Sequence, residues 1–242
     1  MDTNSNQARR VVIGITAHVD AGKTTLAEAM LYRTGRLRKL GRVDHGSAAM
    51  DSHLLERERG ITIFSSQAEL PIGDLEVTLL DTPGHVDFSA EMERTLSVLD
   101  YAILVISGAD GVQAHTRTLW RLLELYRIPT FLFVTKMDFG RCGRGQMMEH
   151  LRHELGEGCV DFTPADRERR MEQLATCRED ALEVYLDGGE VPDALVRQLV
   201  GRRLVFPCWF GSGLKLEGID EFLEGLARYV EPPVYPETFS AR

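Results

Sequence analysis

The stretch Ala17-His-Val-Asp-Ala-Gly-Lys-Thr24 follows an apolar run, Val11–Ala17, and precedes a segment with helical character. This order predicts a strand, a tight turn that contains a glycine, and a helix. In such an arrangement, the first N–H groups of the helix point towards an anion bound in the turn. The spacing matches a phosphate-binding loop of the G-x-x-x-x-G-K-[ST] type, with Ala17 in place of the first glycine. The stretch therefore predicts an α/β fold of the P-loop NTPase class.

Within this loop, each residue type has a physical reason to be there. Gly22 lets the backbone approach a β-phosphate closely, and Lys23 neutralises the β- and γ-phosphates. The hydroxyl of Thr24 is a hard oxygen ligand suited to Mg²⁺. The phosphate-binding residues predicted here are Ala17, His18, Val19, Asp20, Ala21, Gly22, Lys23, Thr24 and Thr25.

Short apolar runs alternate with helix-length stretches along the rest of the chain, which predicts a doubly wound, mostly parallel sheet. A short turn at Pro71-Ile-Gly-Asp74 predicts a hairpin, and hence one antiparallel strand among six. The predicted strands cover 11–17, 62–70, 76–81, 101–106, 130–135 and 204–210. Helices are predicted through Leu26 to Leu31 and over 115–127, 145–155 and 219–230.

One long polar stretch interrupts the alternation and predicts a small helical insertion over residues 156–203. Residues 10–155 and 204–230 then form the nucleotide domain, preceded by a poorly ordered segment, 1–9. Residues 231–242 are predicted to be a linker to further domains. An amphipathic helix in the insertion would use the apolar residues Leu174, Ala181, Leu182, Val184 and Leu186.

A second motif, Asp81-Thr-Pro-Gly-His85, ends the predicted strand 76–81. Asp81 is placed to hold an Mg²⁺-bound water, and the N–H of Gly84 can reach a γ-phosphate because no side chain blocks the approach. His85 would then stand beside the attacking water, as the one catalytic residue. The phosphate-binding residues predicted from this motif are Asp81, Thr82, Pro83 and Gly84.

A third motif, Thr135-Lys-Met-Asp138, predicts which base is bound. The carboxylate of Asp138 can accept from both N1–H and the 2-amino group of guanine, whereas adenine offers no such pair of donors. Lys136 would lie along the base plane. After the last strand, the backbone of Ser212, Gly213 and Leu214 can donate to guanine O6, so these three residues join Thr135 in the predicted guanine site.

Composition limits the cellular setting and the partners. The net charge is −9, and residues 154–193 carry −8 of it, with twelve acidic residues against four arginines. The rest of the chain is nearly neutral, so the negative net charge of the whole chain does not exclude an RNA partner. Four scattered cysteines and the lack of an apolar leader or span predict a cytoplasmic protein without disulfides or a membrane partner.

In this order, the stretches AHVDAGKTT, RGITI, DTPGH, TKMD and GSGLK resemble the five nucleotide motifs of translational GTPases. Within that family, the chain is most similar to the nucleotide domain of tetracycline-resistance ribosomal protection proteins and then to that of elongation factor G. The similarity is also carried by GRVDHG at 41–46, LERERGITI at 55–63, SVLD at 97–100 and DGVQ at 110–113.

The resemblance implies specific roles, with GTP or GDP and Mg²⁺ as ligands. Thr62 would be the switch I threonine that adds a metal ligand when the γ-phosphate is present. Val19 and Ile61 would form an apolar gate that holds His85 away from the water. The resemblance implies a monomer that partners the ribosome, whose large-subunit RNA near the factor-binding site would push His85 inward; a DNA partner is not expected.

Two residues depart from the pattern of the family. Thr135 stands where the family usually has Asn, so we expect weaker guanine binding with selectivity retained by Asp138. Gly213 replaces the usual Ala, which matters little if only its N–H contacts the base. A basic cluster without acidic residues leads into switch I and is either a solvated face or an RNA contact; its members are Arg33, Arg36, Arg38, Lys39 and Arg42.

These patterns predict a GTP-binding and GTP-hydrolysing domain of a ribosome-associated translation factor, with a tetracycline-resistance ribosomal protection protein as the favoured type. An elongation factor G-like translocase is the first alternative. A guanine-nucleotide switch without useful hydrolysis is the second, and a P-loop ATPase or small-molecule kinase is the third. The residue that separates the last from the others is Asp138.

Overall fold

The computed structural model describes residues 9–38, 67–82, 90–139, 142–163 and 167–233. Predictions that concern residues 1–8 and 234–242 fall outside these ranges, as does the whole of the predicted switch I, at about 40–62. So do five predicted site residues, which are Ile61, Thr62, Pro83, Gly84 and His85.

Seven strands of the described chain form one sheet with the order β2-β3-β1-β4-β5-β7-β6. β2 is antiparallel to β3, and every other neighbouring pair is parallel. The strands are β1 (Arg9–Ala17), β2 (Gln67–Ile72), β3 (Leu75–Asp81), β4 (Tyr101–Ser107), β5 (Thr130–Thr135), β6 (Cys159–Asp161) and β7 (Phe206–Phe210). The predicted α/β class and its single antiparallel strand are confirmed.

Eight helices of the described chain cover the two faces of the sheet, as a largely parallel sheet requires. They are α1 (Lys23–Arg33), α2 (Ala90–Leu96), α3 (Ala114–Leu125), α4 (Arg144–Leu155), α5 (Arg167–Cys177), α6 (Glu179–Gly188), α7 (Asp193–Gly201) and α8 (Ile219–Tyr229). None of these helices is long and apolar enough to cross a membrane.

Two hydrophobic cores lie on opposite faces of the sheet because alternate strand residues point to opposite sides. On β5, Phe131 and Phe133 join the core beneath α1, α5, α6, α7 and α8, whereas Leu132 and Val134 join the core beneath α2, α3 and α4. In α8, apolar residues recur at the spacing of one helical face, and that face is buried. These residues are Ile219, Phe222, Leu223 and Leu226.

The prediction of six strands is wrong, because the predicted insertion contributes a seventh. β6 is an edge strand of three residues that pairs with β7 from Cys159↔Phe206 to Asp161↔Cys208. Three helices, α5 to α7, make up the rest of the segment 156–203. β1 also begins at Arg9, within the stretch predicted to be poorly ordered.

The predicted amphipathic helix of the insertion is also wrong in its buried face. Leu174 and Ala181 are fully buried but belong to two different helices, α5 and α6. Leu182, Val184 and Leu186 lie on α6 and are exposed. The buried apolar residues are therefore divided between two helices, and these three side chains of α6 face solvent.

The last described residues are anchored at the amino-terminal edge of the sheet. Arg9, the first residue of β1, donates a hydrogen bond to the carbonyl of Val230 over 2.5 Å. Tyr101, the first residue of β4, exchanges hydrogen bonds of 3.1 Å with the backbone of Glu231 through its hydroxyl. The chain therefore leaves the domain on the side away from the carboxyl ends of the strands.

Candidate nucleotide-binding site

The predicted motifs meet at the carboxyl edge of the sheet. β1, β3, β5 and β7 end at Ala17, Asp81, Thr135 and Phe210, and these four strand ends lie at one edge because the strands run parallel. Ligands of open α/β sheets bind at this edge, where the loops can approach each other without disturbing the strands.

The phosphate loop turns sharply between β1 and α1. Gly22 has φ +93°, and Asp20 has φ +61°, a conformation that costs a residue with a side chain about 1 kcal/mol or more. The N–H of Ala21 donates to the carbonyl of His18 over 3.1 Å and closes the turn. No side chain caps α1, and no acidic residue lies in its first turn, so its N-terminus can receive an anion.

Lys23 lies beneath this loop and is nearly buried. Its Nζ is 2.7 Å from Oδ1 of Asp81, whose side chain is only 1% exposed. It also donates to the carbonyl of Thr82, which is held in place because its own N–H and hydroxyl donate to Ile15. The first two motifs are thus in direct contact, with the loop lysine placed between them.

The oxygen donors at this point fit a magnesium ion. The hydroxyl of Thr24 and the carboxylate of Asp81 are hard ligands on neighbouring segments. Within the described ranges, no group of three or more His, Cys, Asp or Glu residues could hold a metal. An ion that uses few protein ligands, with phosphate oxygens and water completing the shell, is the mode that Mg²⁺ prefers.

Thr135 connects two loops: the phosphate loop, residues 17–24, and the loop after β5 that contains Asp138, which we call the base loop. Its buried hydroxyl lies 2.6 Å from the carbonyl oxygen of Ala21 and 3.3 Å from that of Ile106. A hydroxyl donates one hydrogen, and the shorter contact is the better donor geometry. Although Thr is shorter than Asn, its side chain still reaches the phosphate loop.

Lys136 forms a second connection of the same kind. Its Nζ donates to the carbonyl of Asp20 over 2.6 Å, and its backbone has φ +55°. The positive φ directs the chain sharply away from β5, so that a lysine at this position spans from the base loop to the phosphate loop. Two bonds, from Thr135 and Lys136, thus hold these loops at a fixed separation.

Asp138, the predicted guanine acceptor, is paired with a residue to which the sequence assigned no role. The Nζ of Lys215 lies 2.7 Å from Oδ2 of Asp138. The hydrogen bond from Lys215 lowers the pKa of the Asp138 carboxyl, and the same contact raises the pKa of Lys215. Lys215 lies in the GSGLK stretch, after β7, and Asp138 lies after β5. Because β5 and β7 are neighbours in the sheet, the pairing of these strands is the signal that could have identified Lys215.

The loop that presents Lys215 is closed by its own backbone. Ser212 and Glu217 exchange N–H···O bonds of 2.9 and 3.0 Å, and the N–H of Lys215 donates to the Ser212 hydroxyl over 3.2 Å. Gly213 packs against α1, where a Cβ would lie 2.8 Å from the carbonyl oxygen of Thr25. A Cβ at this position would therefore meet fixed backbone, so the packing of the loop on α1 favours Gly over the usual Ala.

The structure also shows the surroundings of Leu214, Val19 and part of the basic cluster. Leu214 is exposed and so is Val19, the described member of the predicted gate. Arg33 of the basic cluster donates to Asp220 over 2.6 Å, and Arg36 lies 3.9 Å from Glu69. Two of the three described arginines of this cluster thus have acidic partners within the chain.

Comparison with known proteins agrees with this geometry. Residues 8–232 match the family described as "Elongation factor Tu GTP binding domain". The chain is 41% identical to the oxytetracycline resistance protein of Streptomyces rimosus, over 92% of this chain and 37% of that protein. It is 35% identical to the tetracycline resistance protein TetO of Campylobacter jejuni, over 89% of this chain and 36% of that protein.

A solved structure gives the same result for the fold. A crystal structure of a Thermus thermophilus protein superimposes with a TM-score of 0.82 at 28% identity, covering 93% of this chain and 41% of the other. The chain thus spans well under half of the length of these relatives. Since residues 8–232 match one family model, and the described residues of its motifs lie at one edge of the sheet, the chain belongs to the family of elongation factor Tu GTP-binding domains.

Proposed function

We propose that this chain binds and hydrolyses GTP as the nucleotide domain of a ribosome-associated translation factor of the tetracycline-resistance ribosomal protection type. The observation that carries the proposal is the direct joining of the phosphate loop to the base loop through Thr135 and Lys136. A nucleotide bound there spans both loops, and the acidic acceptor on the base side is Asp138. The proposed setting is the cytoplasm, and the proposed state is a monomer.

On the phosphate side, the proposal assigns binding to the N-terminus of α1 and to Lys23. The ammonium group of Lys23 would turn from Asp81 to the phosphates, over a short distance because the two residues already meet at the loop. Thr24 would bind Mg²⁺ directly and Asp81 would hold it through a water, and the ion would neutralise the charge that develops on the phosphates. The chain contributes position and charge, and no covalent intermediate is needed.

On the base side, the proposal assigns selection to Asp138. Guanine would donate N1–H and its 2-amino group to the two carboxylate oxygens, and the backbone of residues 212–214 would donate to O6. Adenine would leave the base-facing positions of the carboxylate without donors, which is a penalty for an acceptor that the base has desolvated. His85, outside the described residues, is proposed to orient the attacking water when the ribosome contacts the domain.

The resistance role is proposed from the names of the relatives and from the family. Two proteins named for oxytetracycline and tetracycline resistance are 41% and 35% identical to this chain. Because the chain spans just over a third of those proteins, ribosome binding and drug protection are assigned to the longer protein that carries this domain.

Base selectivity is tested with one substitution, Asp138→Asn. We expect the wild type to bind GDP and to ignore ADP, and we expect the variant to lose GDP affinity on the order of a hundredfold. The amide of Asn can donate to the 2-oxo group of xanthine, so the variant should gain affinity for XDP. Titration of fluorescent diphosphates measures all three affinities.

Asp193→Asn is the matched control, because Asp193 forms a similar exposed ion pair on α7, with Arg228, away from the base loop. This variant should bind GDP like the wild type. Unchanged GDP affinity in Asp138→Asn would refute the guanine assignment and favour an ATPase or kinase.

Hydrolysis is tested on the full-length protein that carries this domain. We expect ribosomes to raise its GTP turnover and His85→Ala to abolish the rise, with the exposed His153→Ala as control. A rise that survives His85→Ala removes this histidine from the mechanism, and no rise in the wild type favours the binding switch. Protection of a susceptible strain from tetracycline then separates the resistance role from a translocase role.

A further inference from the structure

The exposed ion pair between Lys215 and Asp138 joins two loops that follow neighbouring strands, β5 and β7. An ionised carboxylate has about four acceptor positions on its two oxygens. Lys215 occupies one position on Oδ2, and the N–H of Asp138 itself takes another, so about two positions remain for a ligand. The contact is therefore compatible with a base that donates two hydrogens to the same carboxylate.

The backbone holds Lys215 in place, unlike a lysine on a free surface. The paired residues Ser212 and Glu217 close the loop, the Ser212 hydroxyl accepts from the N–H of Lys215, and Leu216 adopts φ +58° within it. Gly213 seats the loop against the first turn of α1. The backbone of Lys215 is thus fixed, which limits the positions at which its ammonium group can contact the carboxylate.

The neighbouring cation of the base loop has a different partner. Lys136 extends to the carbonyl of Asp20 in the phosphate loop, away from Asp138. Among the residues that the structure describes, the charged partner of Asp138 is therefore Lys215.

We propose that Lys215 is a positioning residue for guanine recognition, which holds the Asp138 carboxylate turned towards the base and ready to accept from it. This inference rests on the proposed function, in which the Asp138 carboxylate accepts hydrogen bonds from guanine. Without Lys215, the carboxylate rotates among several orientations, and the base must select one of them when it binds.

An exposed ion pair adds little to folding stability, which separates this role from a structural one. If Lys215 only stabilised the loop, its removal would affect nucleotides of all bases alike. If it positions Asp138, its removal weakens GDP more than IDP, because inosine lacks the 2-amino group and depends less on both oxygens being aligned.

The experiment compares GDP and IDP affinities for the wild type, Lys215→Met, Lys215→Arg and Arg228→Gln. We expect Lys215→Met to weaken GDP binding about five- to tenfold, which is within the range for one ordinary hydrogen bond, and to lower the ratio of GDP affinity to IDP affinity. Lys215→Arg should restore part of the GDP affinity and part of the preference for GDP over IDP. Arg228→Gln breaks a similarly exposed ion pair on α8 and should change neither.

The pH profile of GDP binding gives an independent readout. Lys215 lowers the pKa of Asp138, so the charged carboxylate persists to low pH, and affinity is lost as the pH falls through that lowered value. In Lys215→Met, the pKa rises towards its ordinary value, and the acid limb of the profile should shift to higher pH.

Each outcome has one meaning. A wild type without GDP preference, or an Asp138→Asn variant that binds GDP normally, overturns the guanine assignment itself. With those results as expected, GDP affinity in Lys215→Met that is unchanged or tighter overturns only the role of Lys215. Thermal unfolding of each variant identifies any loss caused by misfolding.

Discussion

Thr135 illustrates how one hydroxyl can connect two functional loops. Its side chain is 4% exposed, and its hydroxyl meets the Ala21 carbonyl at 2.6 Å across more than a hundred residues of sequence. A side chain at the end of β5 is thus rigid, because the strand fixes its backbone and the hydrogen bond fixes its oxygen. The separation of the base loop from the phosphate loop depends on this contact.

Thr135→Val keeps the shape of the side chain and removes the donor. We expect the free energy of unfolding to fall by about 1–3 kcal/mol, because the buried carbonyl of Ala21 loses its partner. GDP affinity should fall as well, since the two loops lose a fixed separation. Chemical denaturation and GDP titration measure the two effects.

Thr118→Val is the control for this change. Thr118 donates to Ala114 over 3.2 Å on the solvent side of α3, so its loss should change stability by no more than about 0.5 kcal/mol. Equal stability of the Thr135→Val variant and the wild type would show that the contact does not hold the loops together.

The sequence was sufficient to predict site residues whose own side-chain chemistry indicates their role. It was insufficient to predict residues whose role depends on a contact with a distant part of the chain. The motifs identified Lys23, Asp81 and Asp138 because lysine and aspartate at those spacings have few other uses. Lys215 was missed because its partner lies 77 positions away and is brought near by the pairing of β5 with β7. The close approach of Gly213 to Thr25 could not be predicted either, because it is set by the packing of a loop on α1.

Among the elements, the long strands and helices were predictable and the short edge strand was not. β5 is a continuous apolar run, and its predicted limits agree with the structure. β6 has three residues between glycines and a proline, too few to show a period. Its place in the sheet comes from pairing with β7, which no local pattern encodes.

The junction between α7 and β7 is fixed by Arg203. Its guanidinium lies 4.9 Å from the ring centre of Trp120 and 5.1 Å from that of Phe206, and it donates to Ile128 and Thr130. Burial lowers the pKa of Arg203, although a guanidinium stays charged at any physiological pH. The side chain thus joins α3, β5 and β7.

Arg203→Ala should lower the free energy of unfolding by about 2–3 kcal/mol, because two hydrogen bonds and the ring contacts are lost together. Urea denaturation measures the change. Arg202→Ala, an exposed neighbour, should stay within about 0.5 kcal/mol of the wild type. Similar values for the two variants would mean that the junction is held by its apolar contacts alone.

At the scale of the whole molecule, the four cysteines differ in their burial. All four cysteines are free. Cys159 and Cys208 are fully buried, and burial raises the pKa of the Cys177 thiol to about 11. Cys142 is partly exposed, ahead of α4.

Alkylation of the native protein at pH 8 should therefore modify Cys142 first. At that pH only about 0.1% of Cys177 is thiolate, and its rate should rise about tenfold per pH unit up to pH 11, since the thiolate is the nucleophile. Mass spectrometry of digested samples gives the order, and urea-unfolded protein, in which all four react, is the control. Early modification of Cys177 would contradict its burial.

The anchoring of residues 230 and 231 by Arg9 and Tyr101 has a practical consequence for handling the protein. Both ends of the described chain lie at the amino-terminal edge of the sheet, across the molecule from the base and phosphate loops. A biotin or dye attached beyond residue 233 starts from that far side. Immobilisation on a sensor through this end leaves the loops facing the flowing nucleotide.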